Sequence, residues 1–500
     1  MTTTLPAMLV GTAARFGDRP AVISNAGRRS WSELVDDVRR RAGGLAHRGI
    51  GPGDAVAIVL PNDHDFVTTF LGTLWLGAVA VPLNPLFTVA ELGLHLQHGH
   101  VSGIVTTDGL APPIREWTTH ARAGQGVWVA EPTALDAAAP EASGTDGLPA
   151  DASRPEAPAL YAFSSGSTGT PKGMLRTQAN LANEADHFFD TVGVGEHDVI
   201  LTVVALFHAH GLGNCLQASV RSGAAMVLVE QFQREAVLEA IERERVTVFP
   251  SVPFICQTLA ETRRADRYDT SSLRLCLTAG APLARETFEL FLERFGLPIR
   301  QLYGCSEAGS VTVNLDEGAS ATAASVGRPM KGIELGVIGD SGESRGPGET
   351  GEICFSSPAL TSGYVGVEPE ANGVFNDGWF RTGDVGHLDE SGNLYVTGRT
   401  KLFISTSGYK VDPFEVENVL RQHAGVADVV VVGSRGALGE EVVKAVVVRT
   451  DGDGDSRPLR RELLSICRSQ LAVYKVPRVV EFRAEIPKSP LGKILRKYLV

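Results

Sequence analysis

The stretch Tyr161–Arg176, YAFSSGSTGTPKGMLR, combines residue types that can bind an anion. The apolar residues 160–163 predict a strand, and small or hydroxylated residues follow it. Glycines let backbone N–H groups approach an anion, hydroxyls add donors, and a lysine adds a compact positive charge. The stretch therefore predicts a phosphate-binding loop, whose candidate residues are Ser164, Ser165, Gly166, Ser167, Thr168, Gly169 and Lys172.

A flexible linker and a Walker-type loop are the two alternative interpretations of this stretch. A Ser/Gly-rich segment is often only a flexible linker, but a linker needs neither a buried strand before it nor a single lysine at its far end. A Walker-type loop requires G-x-x-x-x-G-K-[ST]. That pattern does not occur, because Lys172 lies between Pro171 and Gly173.

Further polar motifs follow this loop along the chain. They are FHAHG (207–211), TAGAP (278–282), YGCSE (303–307), RTGD (381–384), TGR (397–399) and LGK (491–493). Each has an ordinary reading when taken alone: a histidine pair can be structural or metal-binding, and a turn aspartate is usually a local cap. Glu307 offers carboxylate oxygens, which magnesium prefers.

In this order the motifs resemble those of the adenylate-forming superfamily of AMP-dependent synthetases, which includes acyl-CoA synthetases and 4-coumarate–CoA ligase. The resemblance covers almost the whole chain. It implies a ligase that joins ATP and a carboxylic acid into acyl-AMP, releases pyrophosphate, and then forms a thioester with CoA. It also implies a large and a small domain that alternate between two arrangements.

The resemblance assigns roles to individual residues. Lys493 is implied as the catalytic lysine, His208 as a neighbour of the acyl carboxylate, and Glu307 as the Mg²⁺ ligand. The other residues implied to bind ATP are Gly280, Ala281, Pro282, Tyr303, Gly304, Ser306, Asp384, Arg399 and, at the hinge, Lys401. The acyl pocket is implied to include His208, His210, Asn214, Cys215, Val252, Cys305, Ser310 and Val311.

The thiol acceptor is less strongly indicated. Ser407 and Gly408 match a CoA-contact pair, in which the glycine lets the pantetheine arm pass close to the backbone. The chain departs from 4-coumarate–CoA ligase by having Ser405 and Ser407 in place of lysines. Free CoA is the first expectation. A carrier-protein phosphopantetheine is the alternative acceptor, and a non-catalytic nucleotide-binding homologue is a third interpretation.

Composition narrows the class of protein further. The 500 residues carry a net charge of −12, which argues against nucleic acid as a partner. The six cysteines form no C-x-x-C pair, so neither a zinc site nor a disulfide framework is indicated. No apolar run approaches the roughly 18 residues of a membrane span. We expect a cytoplasmic protein, monomeric or homodimeric, whose partners are a small carboxylic acid and CoA or an acyl carrier protein.

Short apolar runs alternate with helical patterns through the first hundred residues, which predicts an α/β fold of layered sheets and helices. The boundary is placed between an adenylation domain, residues 1–399, and a small α/β domain, residues 400–500. Residues 400–500 carry 17 Lys and Arg against 12 Asp and Glu, so their net charge is positive, whereas that of the whole chain is negative. The Ala/Pro/Asp/Gly-rich segment 130–158 predicts an exposed connector.

Overall fold

The computed structural model describes residues 3–120, 126–139, 154–164, 172–263, 265–316, 318, 323–339, 341–366, 373–399, 404–406, 408–436, 440–450, 456–487 and 499. For Ser164, Lys172 and Arg399 only the backbone is described.

The helices, in chain order, are α1 (Leu5–Phe16), α2 (Trp31–His47), α3 (His64–Trp75), α4 (Val89–Gly99), α5 (Ala111–His120), α6 (Pro132–Ala138), α7 (Gln178–Val192), α8 (Ala209–Gly211), α9 (Ala218–Ser222), α10 (Arg234–Glu244), α11 (Pro253–Ala260), α12 (Arg285–Phe295), α13 (Pro413–Arg421) and α14 (Ser456–Gln470). A π-helix, Leu212–Gln217, lies between α8 and α9.

The strands are β1 (Pro20–Ser24), β2 (Gly27–Ser30), β3 (Ala55–Val59), β4 (Val79–Pro82), β5 (Gly103–Thr106), β6 (Trp128–Ala130), β7 (Pro158–Ser164), β8 (Lys172–Thr177), β9 (Val199–Thr202), β10 (Ala225–Leu228), β11 (Val248–Ser251), β12 (Leu275–Thr278), β13 (Ile299–Cys305), β14 (Gly309–Val313), β15 (Arg328–Pro329), β16 (Glu334–Ile338), β17 (Gly351–Ser356), β18 (Phe375–Asn376), β19 (Trp379–Leu388), β20 (Leu394–Arg399), β21 (Ile404–Thr406), β22 (Tyr409–Val411), β23 (Val426–Arg435), β24 (Glu441–Arg449) and β25 (Val479–Arg483). The mixture of helices and sheets confirms the predicted α/β class.

The chain divides into two compact units. The first contains Met1–Pro85, Gly99–Ala162 and Gly173–Arg399, and the second contains Leu86–His98, Phe163–Lys172 and Thr400–Val500. The second unit thus includes two segments from well before residue 400. The boundary between residues 399 and 400 stays a prediction about domains.

Three sheets form the frame of the first unit. In the described residues one has nine strands in the order β15-β14-β13-β12-β11-β9-β10-β1-β2, and another has the order β6-β5-β3-β4-β7-β8. A third has the order β16-β17-β19-β18, with β20 beside β19. Strands β9 to β12 of the nine-stranded sheet are almost fully buried and β13 is partly buried, and neighbours among β9 to β13 pair in parallel. Their carboxyl ends therefore meet at one edge, where open α/β sheets bind ligands.

Local sequence explains where several helices begin. Ser30 and Glu33 form a reciprocal capping box at α2, whose apolar residues Leu34, Val38 and Leu45 are all buried. The connector prediction holds less well, because residues 132–138 form α6 and Leu135 is buried. Residues 140–153 of that segment lie outside the described part of the chain. None of the described helices has the length and apolar character that a membrane crossing requires.

The second unit is organised around the antiparallel pair β23–β24, with β25 parallel to β24. Asp412 caps α13, and Pro413 occupies its first position. Helix α4 belongs to this unit through a buried ion pair: Lys475 Nζ donates to Glu91 Oε1 at 2.8 Å and to Glu415 Oε1 at 2.8 Å. Although burial opposes the charge, these carboxylates hold the pKa of Lys475 above its usual value.

Candidate active site

The hairpin β13–β14 presents the predicted magnesium ligand. Its strands pair Cys305 with Gly309, so Ser306, Glu307 and Ala308 form the tip. The turn is tight, since a Cβ on Gly304 would lie 2.2 Å from the carbonyl oxygen of Gly309, and Gly309 has φ +80°. Glycine is the residue that tolerates both conditions. Glu307 is consequently fixed at the carboxyl edge of the nine-stranded sheet, with 7% of its surface exposed.

Tyr303 and Asp384, predicted to bind adenine and ribose, are brought together across 81 residues. The Tyr303 hydroxyl donates to Asp384 Oδ2 at 2.7 Å. Burial, followed by the neighbouring Asp384 carboxylate, raises the pKa of Tyr303 well above its usual value, so the phenol keeps its proton. The Asp384 backbone N–H donates to Thr382 Oγ1. Arg399 lies opposite Asp384 in the β19–β20 register, so the Arg399 backbone is directly beside that of Asp384.

The predicted adenine turn follows β12. Thr278 at the end of β12 pairs with Gln301 on β13, so the turn Gly280–Pro282 starts beside the strand that carries Tyr303. Gly280 has φ +88°, and a Cβ placed on it would meet no atom within 4 Å. This open space on the exposed side of the turn fits a planar base lying against the backbone.

The hydroxyl of Tyr364 orients Glu307. Tyr364 donates from its hydroxyl to Glu307 Oε1 at 2.6 Å, and Thr361 donates from its backbone N–H to the Glu307 carbonyl at 2.8 Å. The structure describes no cluster of three or more His, Cys, Asp and Glu side chains suited to a metal. One oriented carboxylate fits magnesium nevertheless, because this ion is usually held by one or two carboxylates together with substrate phosphates.

Three of the predicted acyl-pocket residues form a chain of hydrogen bonds at the start of the π-helix. His210 Nε2 lies 2.8 Å from the Ser251 carbonyl, Asn214 Nδ2 lies 2.8 Å from His210 Nδ1, and Ser310 Oγ donates to Asn214 Oδ1 at 2.9 Å. Desolvation lowers the pKa of His210 to about 4, so the ring is neutral at pH 7. A carbonyl can only accept, so Nε2 carries the proton and Nδ1 accepts from the amide.

The other predicted pocket residues differ in their exposure. Cys215 and Val311 are fully buried within the core, and burial raises the pKa of Cys215 to about 12, so its thiol is neutral. Val252 and Cys305 are half-buried. His208 is exposed, with its ring centroid 4.6 Å from that of Phe207.

Several predicted residues are not placed by the structure. Outside the described residues lie Ser165, Gly166, Ser167, Thr168, Gly169, Lys401, Ser407 and Lys493. The strands on either side of the phosphate loop, β7 ending at Ser164 and β8 beginning at Lys172, are neighbours in the six-stranded sheet. The strand predicted before the loop is therefore present.

Gly408 has a structural reason to be glycine that the sequence did not indicate. Thr406 pairs with Tyr409 in the β21–β22 hairpin, so Gly408 lies in the turn that joins the two strands. Gly408 has φ +86°, a conformation that other residues rarely adopt. Tyr364, Arg176 and Glu184 were also missed as site residues. Only Arg176 had a signal in the sequence, because it ends the phosphate-loop stretch.

The sequence is similar to those of known protein families. Residues 10–365 match the family described as AMP-binding enzyme, and residues 415–493 match the AMP-binding enzyme C-terminal domain. The chain belongs to the AMP-binding enzyme family.

Its similarity to characterised relatives extends over nearly the full length. A feruloyl-CoA synthase of Amycolatopsis sp. is 36% identical over 93% of this chain and 92% of its own length. A long-chain-fatty-acid–CoA ligase of Bacillus subtilis is 32% identical over 99% and 94%. The structure of an o-succinylbenzoate CoA synthetase double mutant from Bacillus subtilis, bound to a product analogue, has a TM-score of 0.88 and 29% identity, covering 98% of this chain and 97% of that one. These relatives support the predicted acyl-CoA ligase activity.

The neutral state of His210 predicts how pH affects stability. Its pKa in the fold, about 4, lies below the roughly 6.5 of an unfolded histidine. The unfolded chain therefore binds this proton first, and stability falls as the pH drops from about 6.5 to 4. A His210→Gln variant cannot take up the proton, so we expect its melting temperature to fall less than that of the wild type between pH 7 and pH 5. An equal fall in both proteins would contradict the assignment.

Proposed function

We propose that the protein is an AMP-forming acyl-CoA ligase in which the carboxyl edge of the nine-stranded sheet holds the reacting groups. The observation that carries this proposal is the hydrogen bond between Asp384 on β19 and Tyr303 on the β13–β14 hairpin, whose tip carries Glu307 at the carboxyl edge of the parallel strands. The hydroxyl and carboxylate of the Tyr303–Asp384 pair fit a ribose, and the open side of the Gly280 turn fits adenine.

In the first half-reaction the substrate carboxylate attacks the α-phosphorus of ATP, forms the acyl–phosphate bond and displaces pyrophosphate. A carboxylate is already ionised at neutral pH, so no general base is required. Bound magnesium would offset negative charge on the triphosphate. Glu307 would hold that ion, while Lys172 and Lys493 would place positive charge beside the phosphates. We assign Lys493 to this step because preorganised charge at the reacting centre is usually the largest catalytic contribution.

In the second half-reaction the sulfur of a thiol attacks the acyl carbon and forms the C–S bond, AMP leaves with the electrons of the acyl C–O bond, and the thiol proton is released to solvent. We propose free CoA as the thiol, and Ser407–Gly408 as the turn that the pantetheine arm passes. Support comes from the CoA ligases among the relatives and from the excess of basic residues over acidic ones in 400–500. A carrier-protein phosphopantetheine is the alternative that the test must separate.

The acid is proposed to be a monocarboxylate of aryl, alicyclic or medium aliphatic type. Four of the described pocket residues carry no charge at pH 7: His210 and Cys215 are neutral, and Asn214 and Ser310 cannot ionise. None of these four can pair with a second carboxylate as a cation.

A pyrophosphate-exchange screen over carboxylic acids, followed by CoA-dependent thioester detection, tests the proposal. We expect exchange with neutral-tailed monocarboxylates and little with dicarboxylates of the same length. Absence of acid-dependent exchange with every acid would indicate the non-catalytic nucleotide-binding alternative. Exchange without CoA thioester, but with acylation of a phosphopantetheinylated carrier protein, would replace CoA by the carrier.

The role of Glu307 gives a separate prediction. Glu307→Gln keeps the shape of the side chain and its ability to accept from Tyr364, but removes the charge that magnesium requires. We expect the Mg²⁺ concentration for half-maximal pyrophosphate exchange to rise at least ~10-fold, the scale on which changes at metal sites act. Glu349→Gln, on an exposed turn, is the control. A magnesium titration unchanged by Glu307→Gln would remove this residue from the metal site.

A further inference from the structure

Arg176 and Glu184 form a fully buried ion pair next to the candidate site. Arg176 NH1 lies 2.8 Å from Glu184 Oε2, and the two side chains are 1% and 2% exposed. Burying two opposite charges is costly and is often no better for stability than a well-packed apolar pair. The pair is therefore better explained by what else it contacts than by stability.

Arg176 joins three segments through backbone carbonyls. It lies on β8, the strand that leaves the phosphate loop, and its NH2 donates to the carbonyls of Ala308 and Ala359, each at 3.2 Å. Ala308 directly follows Glu307 at the hairpin tip. A guanidinium can serve several acceptors at once because its donors form a planar fork.

Glu184, on α7, contacts the same hairpin from the other side. Burial raises the pKa of Glu184, whereas Arg176 and the neighbouring Ser310 backbone favour the charged carboxylate. A Cβ added to Gly309 would lie 2.0 Å from Glu184 Oε1, and one added to Gly213 of the π-helix would lie 2.1 Å from the same atom. The carboxylate is thus packed directly between the Glu307 hairpin and the helix that carries the acyl-pocket residues.

The segment that Arg176 contacts at Ala359 returns to Glu307. Thr361 donates from its hydroxyl to the Leu175 carbonyl on β8 and from its backbone to the Glu307 carbonyl. Tyr364 pairs with Met174 on β8 and donates to the Glu307 carboxylate. Residues 359–364 therefore connect β8 with Glu307, and Arg176 fixes the start of this connection.

From these contacts we infer that the Arg176–Glu184 pair is a positioning device for Glu307, holding the hairpin tip at a fixed place relative to the strand that leaves the phosphate loop. Arg176 and Glu184 touch neither nucleotide nor metal; they act through the backbone of residues 308–310 and through the 359–364 segment. The inference rests on the proposed role of Glu307 as the metal ligand.

Arg176→Lys tests the device, because it keeps a cation beside Glu184 while a single ammonium cannot reproduce the fork that holds two carbonyls and a carboxylate. Arg41→Lys is the matched control. Arg41 is equally buried and holds two carboxylates, Asp65 at 2.7 Å and Asp136 at 2.8 Å, on α2 and its neighbours. Both substitutions should lower the melting temperature.

Only Arg176→Lys should alter the metal site. We expect the Mg²⁺ requirement of pyrophosphate exchange to rise ~10-fold, in the range for residues that support a metal ligand. Two readouts are independent of turnover. Mn²⁺ binding in the presence of a non-hydrolysable ATP analogue, measured by electron paramagnetic resonance, should weaken similarly, and amide hydrogen exchange in residues 307–310 should accelerate.

The inference is overturned if Arg176→Lys binds Mn²⁺ like the wild type, or if Arg41→Lys weakens the metal equally. Glu307→Gln, measured in the same series, separates the inference from the proposed function. A shift for Glu307→Gln without one for Arg176→Lys would refute the positioning role and leave the metal-ligand assignment standing. No shift for Glu307→Gln would refute that assignment and the inference that rests on it.

Discussion

A Lys493→Ala variant should form acyl-adenylate at least ~10²-fold more slowly than the wild type, the usual effect of losing one preorganised contact to the transition state. The reason is electrostatic, since negative charge gathers where the carboxylate meets the α-phosphate and an ammonium there stabilises it. Pyrophosphate exchange and single-turnover formation of acyl-AMP would measure the loss. Thioester formation from supplied acyl-adenylate should suffer far less, because the resemblance assigns Lys493 to the first step only.

The same segment contains a suitable control for this variant. Lys497→Ala removes one charge four residues away and should leave both half-reactions close to wild type. If Lys493→Ala slowed both half-reactions equally, the assignment of Lys493 to the first half-reaction alone would be wrong. Equal losses in Lys493→Ala and Lys497→Ala would show that only the net charge of the segment matters.

The second large effect is expected at Gly408. Gly408→Leu should keep pyrophosphate exchange near the wild-type rate and abolish thioester product, because a side chain would close the path of the pantetheine arm. Acyl-adenylate should then accumulate or hydrolyse slowly. Quenched-flow analysis of acyl-AMP and thioester in the same reaction would show both outcomes.

The hairpin geometry requires a control for strain. The backbone at position 408 has φ +86°, a conformation that strains any residue with a side chain. Asparagine nevertheless tolerates positive φ better than leucine does. Gly408→Asn should therefore disturb the turn less while still narrowing the path. Preserved exchange in Gly408→Leu is itself evidence that the fold survives, since Lys493 lies in the same unit. Thioester formation at the wild-type rate would exclude Gly408 from the thiol path.

The acceptor is identified by comparing free CoA with pantetheine at matched concentration. A CoA ligase should favour CoA strongly, because charge-assisted contacts to its phosphates are roughly twice as strong as neutral hydrogen bonds. Equal and poor use of both thiols, with efficient acylation of a carrier protein, would establish the carrier-loading alternative instead.

The sequence by itself determined the features that depend on neighbours along the chain. The capping boxes at Ser30 and Thr88 and the Asp412–Pro413 helix start were predictable because caps and first-turn prolines act within a few residues. The order of the motifs indicated the family, and the alternation of short apolar runs with helical patterns predicted the α/β class. From their order, too, the motifs predicted Tyr303, Glu307 and Asp384 as site residues, and that assignment stays a prediction.

Only the tertiary structure decided the contacts that join distant segments. Arg176 with Ala308 and Ala359, Tyr364 with Glu307, and Glu91 with Lys475 are separated by 57 to 384 residues. Nothing in the local sequence distinguishes Arg176 from an exposed arginine, because burial depends on which segments pack around it. The proton position of His210 was likewise set by the Ser251 carbonyl and Asn214, and the need for glycine at 408 by the turn that pairs Thr406 with Tyr409. Motifs of adjacent residues therefore indicate the type of reaction, whereas the packing of distant segments determines how the reacting side chains are positioned.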